Sequence, residues 1–315
     1  MTNSTGLSGT DLSTLERKRR VHRLRVQFPA RTTVLDLIER CLRNSAYSAD
    51  PKSLFIGGDT GVGKSTLIGA FMSRHPRVVG DEVDTVPVLA ASMPAVATVK
   101  STASALLSAL GDPKAYNGEL AKLTSRLLHY LEACNVKMIV LDEFQHVIDR
   151  ESSKVLARTA DWLKTVLDGS GIPLVLVGLP HSERILDENP QLARRFPHRT
   201  LLGRFGWNTA KRRVEFRMLL RVVDEHLPFA IRAHLDAPEM AEWFFKHTAG
   251  TLGLVMLLVR EAAELAIDRN AARIEWDDLR AAHMQMHGRG PDSPPSRPRR
   301  GGKKNAPKAS DVLRT

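Results

Sequence analysis

Apolar residues along this chain follow two rhythms, and the point where one gives way to the other divides it. Up to about residue 206, short unbroken apolar runs recur at 53–56 (SLFI), 86–91 (VPVLAA), 138–141 (MIVL) and 172–178 (IPLVLVG). Runs of this length read as strands buried on both faces; the first and last run into glycine and the third into acids. Between them the apolar period lengthens to that of a helix. Leu120, Leu123, Leu127, Leu128 and Leu131 make one stripe over 119–132; Val34, Leu35, Leu37, Ile38, Cys41 and Leu42 make another, broken at Asp50-Pro51. Further helices are expected over 66–73, over 102–110 up to Gly111-Asp112-Pro113, and over 152–168 up to Gly169. Short ones are expected over 181–186 and 191–196, and a fifth strand over 200–204. Strands separated by helices predict an α/β fold with a parallel sheet covered on both sides. After Trp207 the strand signal stops, and 209–227, 238–248, 252–269 and 276–286 all carry the helical period. A small helical unit is expected to follow the sheet, and no internal repeat is visible.

Composition adds the two ends. Residues 1–16 are rich in Ser, Thr and Gly, and from Gly288 onward Pro, Gly, Lys and Arg dominate. The expected organisation is a flexible basic N-terminal segment (1–31), an α/β core (32–206), a helical lid (207–287) and a disordered basic tail (288–315). The net charge of +11 sits entirely at the ends: 1–31 carry +5, 287–315 carry +6, and the body between is neutral. Basic ends on a neutral body fit a polyanionic partner, nucleic acid first; solvated tails that aid solubility are the plainer alternative. With 43% hydrophobic and 26% charged residues in 315, the chain has enough apolar material for a core without disulfides or metals. Cys41 and Cys134 stand in no metal-type spacing and read as reduced thiols. No apolar run approaches the roughly 18 residues of a membrane span, and residues 1–10 are too polar for a signal peptide, so a cytoplasmic protein is expected.

The chemistry begins at the first strand. It runs into Gly58-Asp59-Thr60-Gly61-Val62-Gly63-Lys64-Ser65-Thr66, which fits G-x-x-x-x-G-K-[ST] and opens a helix. Glycines let the backbone wrap an anion with its N–H groups turned inward, and the helix start adds a positive dipole end. Residues 58–66 are therefore the expected ATP cradle, with Lys64 on the β- and γ-phosphates and the Ser65 hydroxyl on Mg2+. In KMIVLDEF (137–144) four apolar residues run into Asp142, seventy-eight residues after Lys64, and Glu143. Asp142 is expected to hold Mg2+ through its waters, and Glu143 to orient and activate the attacking water. A built-in base next to the metal ligand argues for hydrolysis, and so for an ATPase, rather than transfer to a substrate hydroxyl.

A phosphate loop followed by a strand ending in Asp-Glu resembles the AAA+ ATPases. The resemblance implies a P-loop NTPase of AAA+ type, with a five-stranded parallel sheet flanked by helices and a small C-terminal helical lid. In such proteins the next strand ends in a polar residue that senses the γ-phosphate. Here that tip reads Gly178-Leu179-Pro180-His181-Ser182, without Asn or Thr; His181 and Ser182 are the nearest candidates, and helix capping is an equal account of them. Leu192-Ala193-Arg194-Arg195-Phe196 matches an element that projects an arginine into a neighbouring subunit's ATP. Arg195 fits best and Arg194 second; a solvated basic face is the alternative, and the finger role requires oligomerisation. One departure concerns the lid, where many AAA+ proteins carry Gly-x-x-Arg. Here Gly250-Thr251-Leu252-Gly253-Leu254 has no arginine in register, and Arg260 lies further along. Slow hydrolysis would follow.

VHRLRVQFPAR, FIGGDTGVGKST, VPVLAASMP, IVLDEFQHV, LVLVGLP, QLARRF and HTAGTLG, spread over about residues 15–285, narrow the resemblance to the TniB/TnsC family of transposition AAA+ ATPases. This resemblance implies ATP-dependent binding to duplex DNA, assembly into a ring or filament, and recruitment and stimulation of a transposase at a chosen target. A TniQ-type adaptor often takes part, and hydrolysis drives disassembly. It also implies a DNA contact at Lys100, in the polar segment 98–102; an exposed lysine in a helix-capping loop is the other reading. DNA binding is expected to be largely sequence-independent and salt-sensitive. The segment 20–35 is the expected adenine pocket. Two alternatives stay open: a helicase-loader-like ATPase of an insertion-sequence element, and a signalling or scaffold NTPase without useful turnover.

Overall fold

The computed structural model of the chain describes residues 13–26, 29–48, 51–94, 98–148 and 153–288. In chain order the first half contains α1 (Thr14–Arg23), α2 (Pro29–Ser45), β1 (Leu54–Gly57), α3 (Lys64–Met72), β2 (Val88–Ser92), α4 (Val99–Leu110), α5 (Leu120–Ala133) and β3 (Met138–Asp142). Then come α6 (Gln145–Ile148), α7 (Ser153–Ser170), β4 (Leu174–Gly178), a 3-10 turn (Pro180–Glu183), α8 (Arg184–Asp187), α9 (Pro190–Ala193) and β5 (His198–Leu201). Four longer helices follow: α10 (Ala210–Glu225), α11 (Pro238–Thr248), α12 (Leu252–Asp268) and α13 (Trp276–His287).

The five strands form one parallel sheet in the order β2-β3-β4-β1-β5. Strand side chains alternate between faces, and the two cores separate accordingly. Phe55, Ile139, Leu141, Leu174 and Leu176 pack with α4, α5 and α7. Leu54, Ile56, Met138, Val140, Val175 and Val177 pack on the other face with α2 and α3. This is why the strands read as unbroken apolar runs. The fifth strand covers 198–201 rather than the expected 200–204, and its polar HRTL sequence fits its edge position. All five strands point the same way, so their C-terminal ends gather β1's exit loop, Asp142 and the tip of β4 at one rim.

The helical unit has its own core, built on Phe216, Leu219, Val223, Phe244, Val255 and Val259. Here the expectation of a flexible N-terminal segment needs correction for residues 13–26. Helix α1 starts on a capping box between Ser13 and Glu16 and lies along α12. Val21 is 1% exposed within the core of the helical unit. Burying one valine contributes about 1.5–2 kcal/mol, whereas ordering each residue costs about 1–2 kcal/mol, so Val21 alone does not hold the helix. The remainder comes from side chains that composition reads as solvated charge. Arg17 donates to the Pro228 carbonyl at 3.1 Å and lies over the Phe229 ring. Lys18 pairs with Asp268 at 2.7 Å, and His22 contacts Glu264. Helix α2 begins at Pro29 and includes Arg31, which belongs to the folded body. Residues 1–12 and the tail from 289 lie outside the described residues. No helix among the described residues is long and apolar enough to cross a membrane.

Candidate nucleotide-binding site

Strand β1 is central, and its exit fixes the loop. Gly57 sits opposite Gly178 on β4, and the Gly58 amide donates to the Gly178 carbonyl at 3.0 Å. The chain then turns through Gly61 (φ 79°) and Gly63 (φ 95°), left-handed conformations that favour glycine. At Gly63 space is lacking as well, since a Cβ there would come within 1.8 Å of the Arg31 guanidinium. Helix α3 starts directly on Lys64, so its unpaired first-turn amides face the loop. The Lys64 ammonium lies across the loop, donating to the carbonyls of Gly58 (2.6 Å) and Asp59 (3.1 Å). Burial lowers its pKa, and Glu143, Asp142 and Asp59 work against that shift. A desolvated cation held only by neutral carbonyls leaves charge to be matched by an incoming anion.

A cavity of about 290 Å³ opens beside this loop. Of the residues expected to cradle a nucleotide, Thr60, Gly61, Gly63, Lys64, Ser65 and Thr66 line it. Gly58, Asp59 and Val62 do not. The first two hold Lys64 through their carbonyls, the Asp59 carboxylate pairs with Arg204 at 3.1 Å, and Val62 is buried in the sheet core.

The tip of β3 brings in the acids. Asp142 lies opposite Ser92, and its carboxylate accepts from the Glu143 amide at 2.8 Å. Glu143 lines the same cavity as Ser65. Its backbone is left-handed (φ 56°), which costs about 1–2 kcal/mol for a residue with a Cβ. Hydrogen bonds around it offset that strain. Besides the Asp142 contact, the Phe144 amide donates to the Val177 carbonyl at 2.9 Å, and the Gln145 side-chain amide donates to the Glu143 carboxylate. A hydrogen bond to a charged group contributes about 1.5–3 kcal/mol, so the conformation is held. No group of three or more His, Cys, Asp or Glu suited to a metal occurs among the described residues. Ser65 and Asp142 offer hard oxygens, as suits Mg2+ that takes its other ligands from phosphates and water.

The cavity's other wall comes from α12 and the stretch after α1. The Gly253 amide, one of the free first-turn donors of α12, donates to the Gly61 carbonyl at 2.7 Å. A Cβ on Gly253 would press to 3.0 Å from that carbonyl oxygen. Gly253 is the residue three after Gly250, so the missing lid arginine has a physical reason: at that position backbone meets backbone. Arginine instead enters two helical turns later. Leu252, Met256 and Arg260 recur every four residues and line the cavity with Leu24, Arg25 and Val26. The Arg260 Nε is buried without a hydrogen-bond partner, and its Nη2 makes only a 3.5 Å contact to the Leu24 carbonyl. Burial and the neighbouring Arg25 lower its pKa. Arg31 braces the two walls, donating to the carbonyls of Gly63 (2.9 Å) and Val26 (3.2 Å); burial pushes its pKa down to about 10. In the sequence Arg260 lies outside the Gly-x-x-Arg register, and its four-residue spacing from Leu252 and Met256 is the signal that places it here.

Other expected residues lie elsewhere. The Arg195 carbonyl accepts from Ser53, just before β1, so Arg195 sits at the far end of the strand from the loop, about 13 Å away along it. Its guanidinium pairs with Asp168 at 2.6 Å. Within one protomer Arg195 is thus not part of the site, and neither Arg195 nor Arg194 lines the cavity. Lys100 is exposed on the first turn of α4, beside the Thr98–Ser101 capping box, and lines an apolar groove between α4, α5 and α7. Ser182 is buried and donates to the Leu179 carbonyl, which is local turn bonding; His181 is exposed. Gln145, not singled out from sequence, occupies the tip of β4 instead, its side-chain oxygen accepting from the Leu179 amide at 3.1 Å.

A family profile described as "Bacterial TniB protein" matches residues 18–205. No curated protein sequence matches the chain significantly. Solved structures of similar fold include the ORC2 protein of Aeropyrum pernix in ADPNP-ADP complexes, with a TM-score of 0.61 and 17% identity over 85% of this chain and 72% of that one. The ORC1 protein of Aeropyrum pernix in complex with DNA gives 0.60 at 18% identity, over 85% and 69%. Drosophila ORC bound to DNA gives 0.55 at 14%, over 91% and 70%. At these identities the likeness establishes the fold, that of the AAA+ P-loop ATPases.

Proposed function

The chain belongs to the TniB family, and from that membership we propose that it is an ATP-hydrolysing transposition regulator that assembles with copies of itself on duplex DNA. In this reading it recruits and stimulates a transposase, with a TniQ-type adaptor where one exists, and helps select the target. ATP then serves as the switch: bound between protomers it closes their interface, and hydrolysis opens it. The observation that carries the reading is the single cavity shared by Lys64, Ser65, Glu143 and Arg260.

The amides of 60–65 and Lys64 receive the terminal phosphates. Mg2+ held by Ser65 and Asp142 would neutralise phosphate charge during transfer to water. Glu143 accepts the proton of the attacking water. Arg260, with its orphaned Nε, supplies from the lid the cation that Gly253 excludes from the usual register. Leu24, Val26, Leu252 and Met256 give the base an apolar surface. Arg195 acts on a neighbour's ATP, for which it must leave Asp168; the site is then complete only between protomers.

Support for DNA as partner comes from the family and from the charge. On α1, Lys18 and His22 bind acids of the lid, which leaves Arg19, Arg20 and Arg23 exposed. Those arginines, the basic tail and Lys100 are the proposed phosphate contacts. The test is ATP turnover with and without duplex DNA across a salt series. Stimulation that fades steeply with salt is expected; turnover indifferent to DNA would favour a scaffold NTPase. Stimulation of a transposase separates the proposal from a helicase-loader-like ATPase.

A further inference from the structure

One buried side chain on the hydrolytic side of the cavity has no part in the roles above. Gln145 opens α6 and is 5% exposed. Both ends of its amide are engaged, and both partners matter. Its nitrogen donates to the Glu143 carboxylate. Its oxygen accepts from the Leu179 amide at 3.1 Å, immediately beyond β4, the strand paired with β1 beside the phosphate loop. The approach is close: a Cβ on Gly178 would lie 3.0 Å from the Gln145 oxygen and 2.6 Å from the Ser182 hydroxyl. The tip of β4 carries no side chain of its own there, and Ser182 is committed to the Leu179 carbonyl. The glutamine therefore spans a gap that would otherwise leave a backbone N–H and a cavity carboxylate unconnected.

We infer that Gln145 is a positioning residue for hydrolysis: it holds the Glu143 carboxylate at the cavity and ties it to the tip of β4. A shift of that tip would then move the base without any polar side chain on the strand itself. The inference rests on Glu143 being the base. A merely structural glutamine would satisfy the Leu179 amide and affect stability alone.

Two substitutions separate these roles. Gln145→Glu keeps the shape and the acceptor for Leu179 but sets a second carboxylate against Glu143. At pH 8 two carboxylates in contact repel, so Glu143 should leave its place at the cavity and kcat should fall about tenfold or more. Affinity for a fluorescent ATP analogue, measured without Mg2+ at pH 8, should stay within about twofold, because Gln145 does not line the cavity. Gln145→Leu removes donor and acceptor together, and kcat should fall about tenfold or more with affinity again retained. Thermal melting of both variants reports stability separately. A Gln145→Glu enzyme with the wild-type kcat would overturn the inference, as would a Gln145→Leu enzyme with the wild-type kcat. Glu143→Gln is run alongside. If it turns over ATP like wild type, the base assignment fails and the inference falls with it. If it is inactive while Gln145→Glu behaves as wild type, only the role of Gln145 is refuted.

Discussion

The cavity has two walls built on different principles. The phosphate wall is one contiguous stretch, 60–66, whose working parts are backbone amides, two left-handed glycines and one lysine. The lid wall joins two segments more than two hundred residues apart, Leu24–Val26 and Leu252–Arg260, and works through side chains. The first is made of local geometry, which a short sequence specifies. The second is made of packing, which exists only once α12 has docked on the loop and α1 on α12. Charge at the first wall should therefore be indispensable, and charge at the second should adjust affinity.

The largest expected effect tests the first half of that statement. Lys64→Ala removes the buried ammonium from the loop. Loss of a charge-assisted partner to phosphate is expected to cost about 3 kcal/mol or more, a weakening of nucleotide binding by more than about a hundredfold. Equilibrium titration with a fluorescent ATP analogue measures it. The fold should survive, because Lys64 bonds only to carbonyls of its own loop. A Lys64→Ala protein with near-normal affinity would make the lid wall the principal binding surface and reverse the comparison.

Next in size is the seam between the walls. Gly253→Ala places a methyl 3.0 Å from the Gly61 oxygen, in contact with backbone that cannot easily give way. Overpacking of this kind costs about 1–3 kcal/mol. The lid should lift from the loop, with affinity reduced about tenfold and faster hydrogen exchange at the start of α12. Unchanged exchange there would mean that the amide contact between Gly253 and Gly61 does not hold the lid closed.

These two substitutions also mark what was legible in the sequence. Strand order aside, the sheet could be read because strands buried on both faces have no polar alternation to blur them, as in Leu174–Gly178. The phosphate loop could be read because its function lives in φ angles and amides that four fixed residues determine. The lid wall was only half visible. The segment 20–35 was the expected adenine pocket, and Leu24, Arg25, Val26 and Arg31 do line the cavity. Arg260 was not recognised, because a charged residue on an amphipathic helix reads as solvated until the partner surface is known. The same error made α1 look like a flexible tail: Arg17 and Lys18 counted as solvated charge, whereas in the fold they, with His22, are its attachments. Gln145 was missed for a third reason, since its partner at Leu179 is a backbone amide, which leaves no trace in composition.

A smaller effect asks what the lid cation is for. Arg260→Met keeps a long apolar stem and removes the guanidinium with its unpartnered Nε. If that nitrogen awaits the nucleotide, affinity should drop about five- to tenfold, roughly 1–1.4 kcal/mol, and the protein should be as stable as before or more so, because a desolvated cation has gone. Equal loss of stability and affinity would instead make Arg260 a structural prop for the Leu24 carbonyl. The paired measurements, melting temperature and analogue affinity, decide between the two.

The smallest expected effect concerns the lid alone, through pH. On its outer helices, His247, His283 and His287 pack ring on ring, with centroids 4.3 and 4.4 Å apart, beside Trp243. Burial, and then the two neighbouring imidazoles, hold the His283 pKa below its ordinary value of 6.5. The folded lid therefore favours neutral His283, whereas the unfolded chain takes up a proton near the ordinary value. Stability from this group is fully present above that value and is lost as pH falls from it through the lower folded pKa. Hydrogen exchange at pH 7.5 and pH 5.5 should show α11 and α13 loosening while β1, β3 and β4 stay protected, since among the described residues the buried histidine is His283, in the lid. His283→Gln should remove part of the difference between the two pH values. If acid loosened the sheet and lid equally in both proteins, the two units would share one stability, and the two walls would differ in construction but not in energetics.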